Sequence, residues 1–163
     1  MKSVITAVLV VLVDQVTKLI VVAEFARGDQ MDVLGSLLRL GHARNSGAVF
    51  GILRGSGNYF AAFSVIAAAI VSVVIYFARQ SGTWTKVALG LVLGGALGNL
   101  IDRLRMGSVV DFIDIGVSES VRWPSFNVAD VAITAGVVIL VAGCLRPAKP
   151  KCSSCGGQPG LFS

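Results

Sequence analysis

Two aspartates define the chemistry this chain can offer. Asp111 stands in Val110-Asp111-Phe112 and Asp130 in Phe126-Asn127-Val128-Ala129-Asp130. The first closes a loop segment and the second opens an apolar run, so the two can meet across residues 112–129. Two carboxylates held close cannot both ionise comfortably; they share a proton, leaving one as base and the other as acid near neutral pH. Such a pair can activate water for attack on a peptide carbonyl without a metal or a covalent intermediate. Asp130 also has a competing reading. Asn127 lies three residues before it, which is the spacing of a capping box at a helix start.

Further polar residues are pressed against apolar runs. Asp14 and Lys18 are four apart inside the first hydrophobic stretch, with the acid on the N-terminal side, so they share a helix face and can pair. Asn45-Ser46-Gly47 offers an amide with donor and acceptor beside a residue that lets a backbone approach closely. Asn99, Asp102 and Arg103 end the third apolar stretch. Bringing a carboxylate to the hydrocarbon centre costs roughly 2.5–3.5 kcal/mol on insertion scales, so an acid in such a place is a functional candidate by default.

Other chemistries fit poorly. His42 is the single histidine, and without an H-E-x-x-H motif a zinc peptidase is excluded; neither a metal nor another cofactor is expected. Cys144, Cys152 and Cys155 crowd the C-terminus and imply no disulfide framework, and Cys152-Ser153-Ser154-Cys155 is half of a metal site at most. A serine–lysine peptidase using Lys18 with Ser46 or Ser125 has no spacing in its favour. A small proton- or ion-coupled transporter is the alternative reading, since intramembrane charges also mark ion pathways. It calls for internal repeats that this chain lacks.

The elements that must position these residues are membrane helices. The chain has 163 residues, 55% of them hydrophobic and 14% charged, with a mean hydropathy of +0.81. That composition points to one polytopic membrane domain over residues 1–145. The net charge of +5 then reads as basic anchors at an anionic lipid surface, not as a nucleic-acid footprint. Apolar runs predict four spans over about 4–23, 59–78, 87–104 and 127–145. Gly90, Gly94 and Gly98 form a ridge on the third that permits close helix contact. Val33-Leu34-Gly35 and 37–43 are candidate short strands, and Val109–Ile115 alternates around Asp111. The density of Lys and Arg in the short loops favours cytoplasmic termini, with residues 146–163 as a flexible cytoplasmic tail.

Five blocks, taken together, resemble bacterial lipoprotein signal peptidase (signal peptidase II). They are Asp14-Gln15-Val16-Thr17-Lys18, Asn45-Ser46-Gly47-Ala48-Val49-Phe50, Gly98-Asn99-Leu100-Ile101-Asp102-Arg103, Val110-Asp111-Phe112 and Phe126-Asn127-Val128-Ala129-Asp130. The resemblance implies an all-α bundle of four transmembrane helices with a small extracytoplasmic β-cradle near residues 30–50. It implies an aspartic endopeptidase of the bacterial inner membrane, acting as a monomer among membrane lipid on diacylglyceryl-prolipoproteins, just before the modified cysteine. Asp111 and Asp130 match the catalytic pair. Asn45, Gly47, Asn99, Arg103 and Asn127 match positions that shape the site or hold substrate. Asp14 and Lys18 match a supporting motif, and Asp102 is expected to orient its neighbours.

Overall fold

The computed structural model describes residues 1–46 and 57–145. Gly47 and the Cys152–Cys155 tail therefore lie outside the described residues. The helices are α1 (Lys2–Glu24), α2 (Gly57–Phe77), α3 (Thr83–Met106) and α4 (Val128–Cys144), with a short 3-10 turn over Ala78–Gln80. Strands β1 (Gln30–Asp32), β2 (Leu38–Asn45) and β3 (Val109–Ile115) form one antiparallel sheet in the order β1-β2-β3. Helices α1 and α3 and the segment Ala61–Gln80 are long and apolar enough to cross a membrane. Helix α4 has 17 residues, about 25 Å of helix, a little short of the ~30 Å hydrocarbon core.

Helix α3 is the hub, and glycine makes it so. Apolar side chains gain nothing by leaving lipid for one another, so helices associate where small residues let backbones touch. A Cβ on Gly90 would lie 2.5 Å from the Ser3 carbonyl oxygen, and one on Gly94 would lie 2.7 Å from that of Ala7. One on Gly98 would meet the Asp14 carboxylate. The ridge therefore seats α1. A second pair of glycines seats α4: Gly95 lies under the Ala129 carbonyl, and Gly136 of α4 lies against that of Ala88. On α1 the buried residues Ser3, Ala7, Asp14, Lys18 and Val21 fall on one helical stripe, while Val8, Leu12, Val16 and Leu19 face outward.

The sheet caps one end of this bundle. Gly107 takes the left-handed conformation (φ 67°) and its N–H bonds the Arg103 carbonyl, ending α3 and turning the chain into β3. The expected strand at 33–35 is instead a turn. Gly35 has φ +53°, and the Val33 and Leu34 N–H groups both donate to Leu38 O, so the first strand falls at 30–32. Strand β3 pairs with β2, giving the sheet a third member. Leu40 faces Ile113 and Ala43 faces Asp111, so Gly41 and His42 together oppose Phe112: a bulge beside Asp111. Phe126 exchanges backbone bonds with Ile113, pinning the chain that leads into α4. Val21, Val110 and Phe112 form the apolar cluster joining sheet to bundle.

Candidate active site

Asp111 and Asp130 are brought together by one residue between them. Asn127 is the N-cap of α4: its side-chain oxygen accepts from the Asp130 N–H at 3.0 Å, and Asp130 Oδ2 accepts from the Asn127 N–H at 3.3 Å. The capping box is therefore formed. The cap also fixes the amide's orientation. With Oδ1 committed to an N–H donor, Nδ2 must face the other way, where it donates to Asp111 Oδ1 at 2.7 Å. Capping and participation in an acid pair are compatible roles for Asp130 in this geometry. Asn127 is fully buried and Asp111 nearly so.

Each acid has a second amide. Asn45, at the end of β2, donates to Asp111 Oδ2 at 3.0 Å. Asn99 of α3 donates to Asp130 Oδ1 at 2.8 Å. Burial is the main force on Asp111 and lifts its pKa from 3.8 to about 6. The Asn45 amide pulls it down, the negative charge of Asp130 pushes it up, and Asn127 and Lys18 oppose that push. Asp111 is thus the group poised to hold a proton just below neutral pH.

Behind the acids lies a buried ion cluster. Lys18 Nζ is 2.9 Å from Asp14, 2.8 Å from Asp102 and 3.1 Å from Asn99 Oδ1, so its three protons are all used. A lysine can only donate, so it holds the Asn99 oxygen toward itself and the Asn99 NH₂ toward Asp130. Both carboxylates also accept backbone bonds. Asp14 Oδ1, the oxygen turned from Lys18, accepts from the Ala129 N–H at 2.9 Å, in the first turn of α4. Asp102 Oδ2, the oxygen that also meets Lys18, accepts from the Val110 N–H at 3.1 Å, one residue before Asp111. One cluster therefore ties α1 and α3 to the two segments carrying the acids. Arg103 Nη1 donates to Ser64 of α2 at 3.2 Å, with Asp130, Asp111 and Asp102 in its electrostatic neighbourhood.

Two contributors were missed in the sequence. Gln15 Nε2 lies within 3.2 Å of the Asp14 and Asp102 carboxylates and of the Gly98 carbonyl, bridging like charges. Its position beside Asp14 was the available signal. Ser64 gave none, because a serine in an apolar helix usually bonds its own backbone. Beside Asp130 a groove of about 440 Å³ is walled by Trp123, Phe126, Val131, Thr134 and Ala135. Among the described residues no cluster of three or more His, Cys, Asp or Glu has metal-binding geometry.

Membrane-length helices closing over carboxylates and amides gathered at one end form the architecture of a membrane-embedded peptidase. Comparison with known proteins supports that class. The family model for signal peptidase (SPase) II matches residues 6–146. Lipoprotein signal peptidases are 39% identical in Syntrophus aciditrophicus (90% of this chain, 94% of the relative) and 37% identical in Staphylococcus aureus (91% of each). That of Symbiobacterium thermophilum is 41% identical, over 86% of this chain and 91% of its own. A bacterial membrane enzyme solved by the in meso method at 1.9 Å superposes with a TM-score of 0.76 at 37% identity, over 88% of this chain and 92% of that one. The chain belongs to the signal peptidase II family. Its activity is that of a lipoprotein signal peptidase, of the aspartic type known for the family, and the transporter alternative has no support.

Proposed function

We propose that Asp111 and Asp130 are the catalytic pair, hydrolysing diacylglyceryl-prolipoproteins on the N-terminal side of the lipidated cysteine. The observation that carries this reading is the shared clamp: Asn127 bonds both acids at once. In the working state the ionised acid takes a proton from water as its oxygen adds to the scissile carbonyl carbon. The protonated acid, Asp111 by its raised pKa, gives its proton to the carbonyl oxygen. As the C–N bond breaks, the other acid passes the proton it took from water to the leaving nitrogen, and Asp111 regains one from a hydroxyl of the collapsing diol. Asn45, Asn99 and Asn127 keep the acids oriented through both steps, so no reorganisation is needed at the barrier. Arg103 and Asn45 border the acids and hold the substrate backbone there.

Four crossings by α1 to α4 complete this reading, α4 spanning by virtue of its polar cap lying in the interface. The termini face the cytoplasm. The sheet lies on the extracytoplasmic face of the inner membrane as a cradle, with the tail after Leu145 cytoplasmic. A site at that interface lets two acyl chains stay in lipid while the scissile bond reaches the acids. The enzyme works as a monomer. The test is cleavage of a synthetic lipidated precursor by Asp111→Asn and Asp130→Asn in detergent. Each variant is expected to be folded and inactive, and full activity in either one overturns the assignment.

A further inference from the structure

Among the described residues one buried side-chain polar atom lacks a protein partner, Nε2 of His42. Its surroundings say what it wants. Nδ1 lies 3.1 Å from the Phe25 carbonyl oxygen, which can only accept, so in the neutral ring the proton sits on Nδ1 and Nε2 is a bare acceptor. Leaving such an acceptor unpaired costs about 1–3 kcal/mol. Next to the ring is a pocket of about 70 Å³ whose walls include His42, Ala43, Asp111, Asp114 and Ser125. Phe25, the partner of Nδ1, is not part of those walls.

The pocket discriminates among occupants. It exceeds the ~10–15 Å³ one water needs and offers more than the two polar partners a buried water requires. It is too small for an acyl chain. It suits no metal, because His42 is the only nitrogen ligand and Asp114 is already bonded to Arg122 at 2.9 Å through both oxygens. The β2 bulge creates it, by setting Gly41 and His42 together against Phe112 immediately beside Asp111.

We propose that this pocket is an ordered-water site, anchored by His42 Nε2, that supplies water to the acid pair from the sheet side, past Asp111. The proposal rests on Asp111 belonging to the reacting pair. Each cleavage consumes one water: its oxygen bonds the carbonyl carbon, the C–N bond breaks, one proton stays with the new carboxyl group and the other goes to the released amine. A lipidated substrate covers the acids from the lipid side, so the replacement water needs a second approach. The bulge provides it. His42 is a positioning residue here, acting on the reaction through the water it holds.

Because His42 is the chain's single histidine, uniform labelling with ¹⁵N-histidine reads this ring alone. In detergent-solubilised enzyme the Nε2 signal is expected at the shift of a hydrogen-bonded acceptor, with magnetisation transfer from water. A shift of an unbonded nitrogen without transfer overturns the water site, whatever the acids do. In activity, His42→Phe, which fills the rim and accepts nothing, should lower kcat about tenfold with KM unchanged, while His42→Gln, which restores an acceptor, should stay within about threefold of the parent. If His42→Phe turns over at the parental rate, the delivery role is refuted. Active Asp111→Asn would instead refute the reading of the acids and leave the NMR result standing.

Discussion

Asn127 joins two functions that one pair of substitutions can separate. Its oxygen caps α4 and its nitrogen holds Asp111 at 2.7 Å. Serine is as good an N-cap as asparagine, but its hydroxyl is too short to cap and also reach Asp111; alanine does neither. Both variants leave the buried Asp111 carboxyl oxygen unpaired, at a cost of about 1–3 kcal/mol, which converts to roughly 5- to 150-fold in kcat. Only alanine loses the cap, about 1 kcal/mol or ~2–4 °C in melting temperature for a chain of this size. Because the Asn127 amide opposes the upward push on Asp111, both variants should also raise that acid's pKa. The assay is cleavage of a fluorogenic lipopeptide in micelles beside thermal unfolding of the same samples. Expected are two equally crippled enzymes, of which Asn127→Ser melts higher. If Asn127→Ser cleaves like the parent, the residue is a cap alone and the clamp argument fails.

Asp111→Asn should change the pH dependence of stability. The folded pKa is raised, so stability is full below about pH 4, where both states are protonated, and is lost as pH rises toward 6, by about 3 kcal/mol. Unfolding scans in detergent between pH 4 and 7 should show that slope in the parent and not in the variant. Lys18→Met leaves two buried carboxylates without their cation and should cost about 3–5 kcal/mol; adding Asp14→Asn should recover part of the melting temperature but not of kcat, since the Asn99 amide is then free to turn. Gly95→Leu drives a side chain into the Ala129 backbone and should separate α3 from α4, abolishing cleavage at a position that touches neither acid, as activity and thermal unfolding together would show.

The sequence carried much of this arrangement, for reasons that differ by element. Asn127 as N-cap and Asp130 at N3 could be read directly, because capping is a local interaction between residues three apart. The glycine ridge could be read as a close-contact face, but not its partner: nothing in Gly90-x₃-Gly94-x₃-Gly98 tells α1 from α4, and Gly95 and Gly136 serve the other seam. The Asp14–Lys18 pair was visible as an i,i+4 neighbour; its link to Asp102, 84 residues further on, depends on how two helices rotate about their axes. The third strand of the sheet was the least legible. Residues 109–115 alternate as a strand should, but their pairing with 38–45 is a long-range contact set by a bulge that leaves no composition signal. Gln15 and Ser64 show the same limit, since their partners lie on other helices.

At the glycines of α3 and α4 the seams of this bundle bring backbone against backbone, with no room there for a slightly larger side chain. Such a joint has two conditions, closed or wedged, and offers a lineage no graded adjustment. An inhibitor gripping the two acids would therefore leave few escape routes through the helices. Selection under such a compound should collect its changes in the sheet and in the loop from Gly116 to Ser125, where contacts are made by side chains and can drift by degrees.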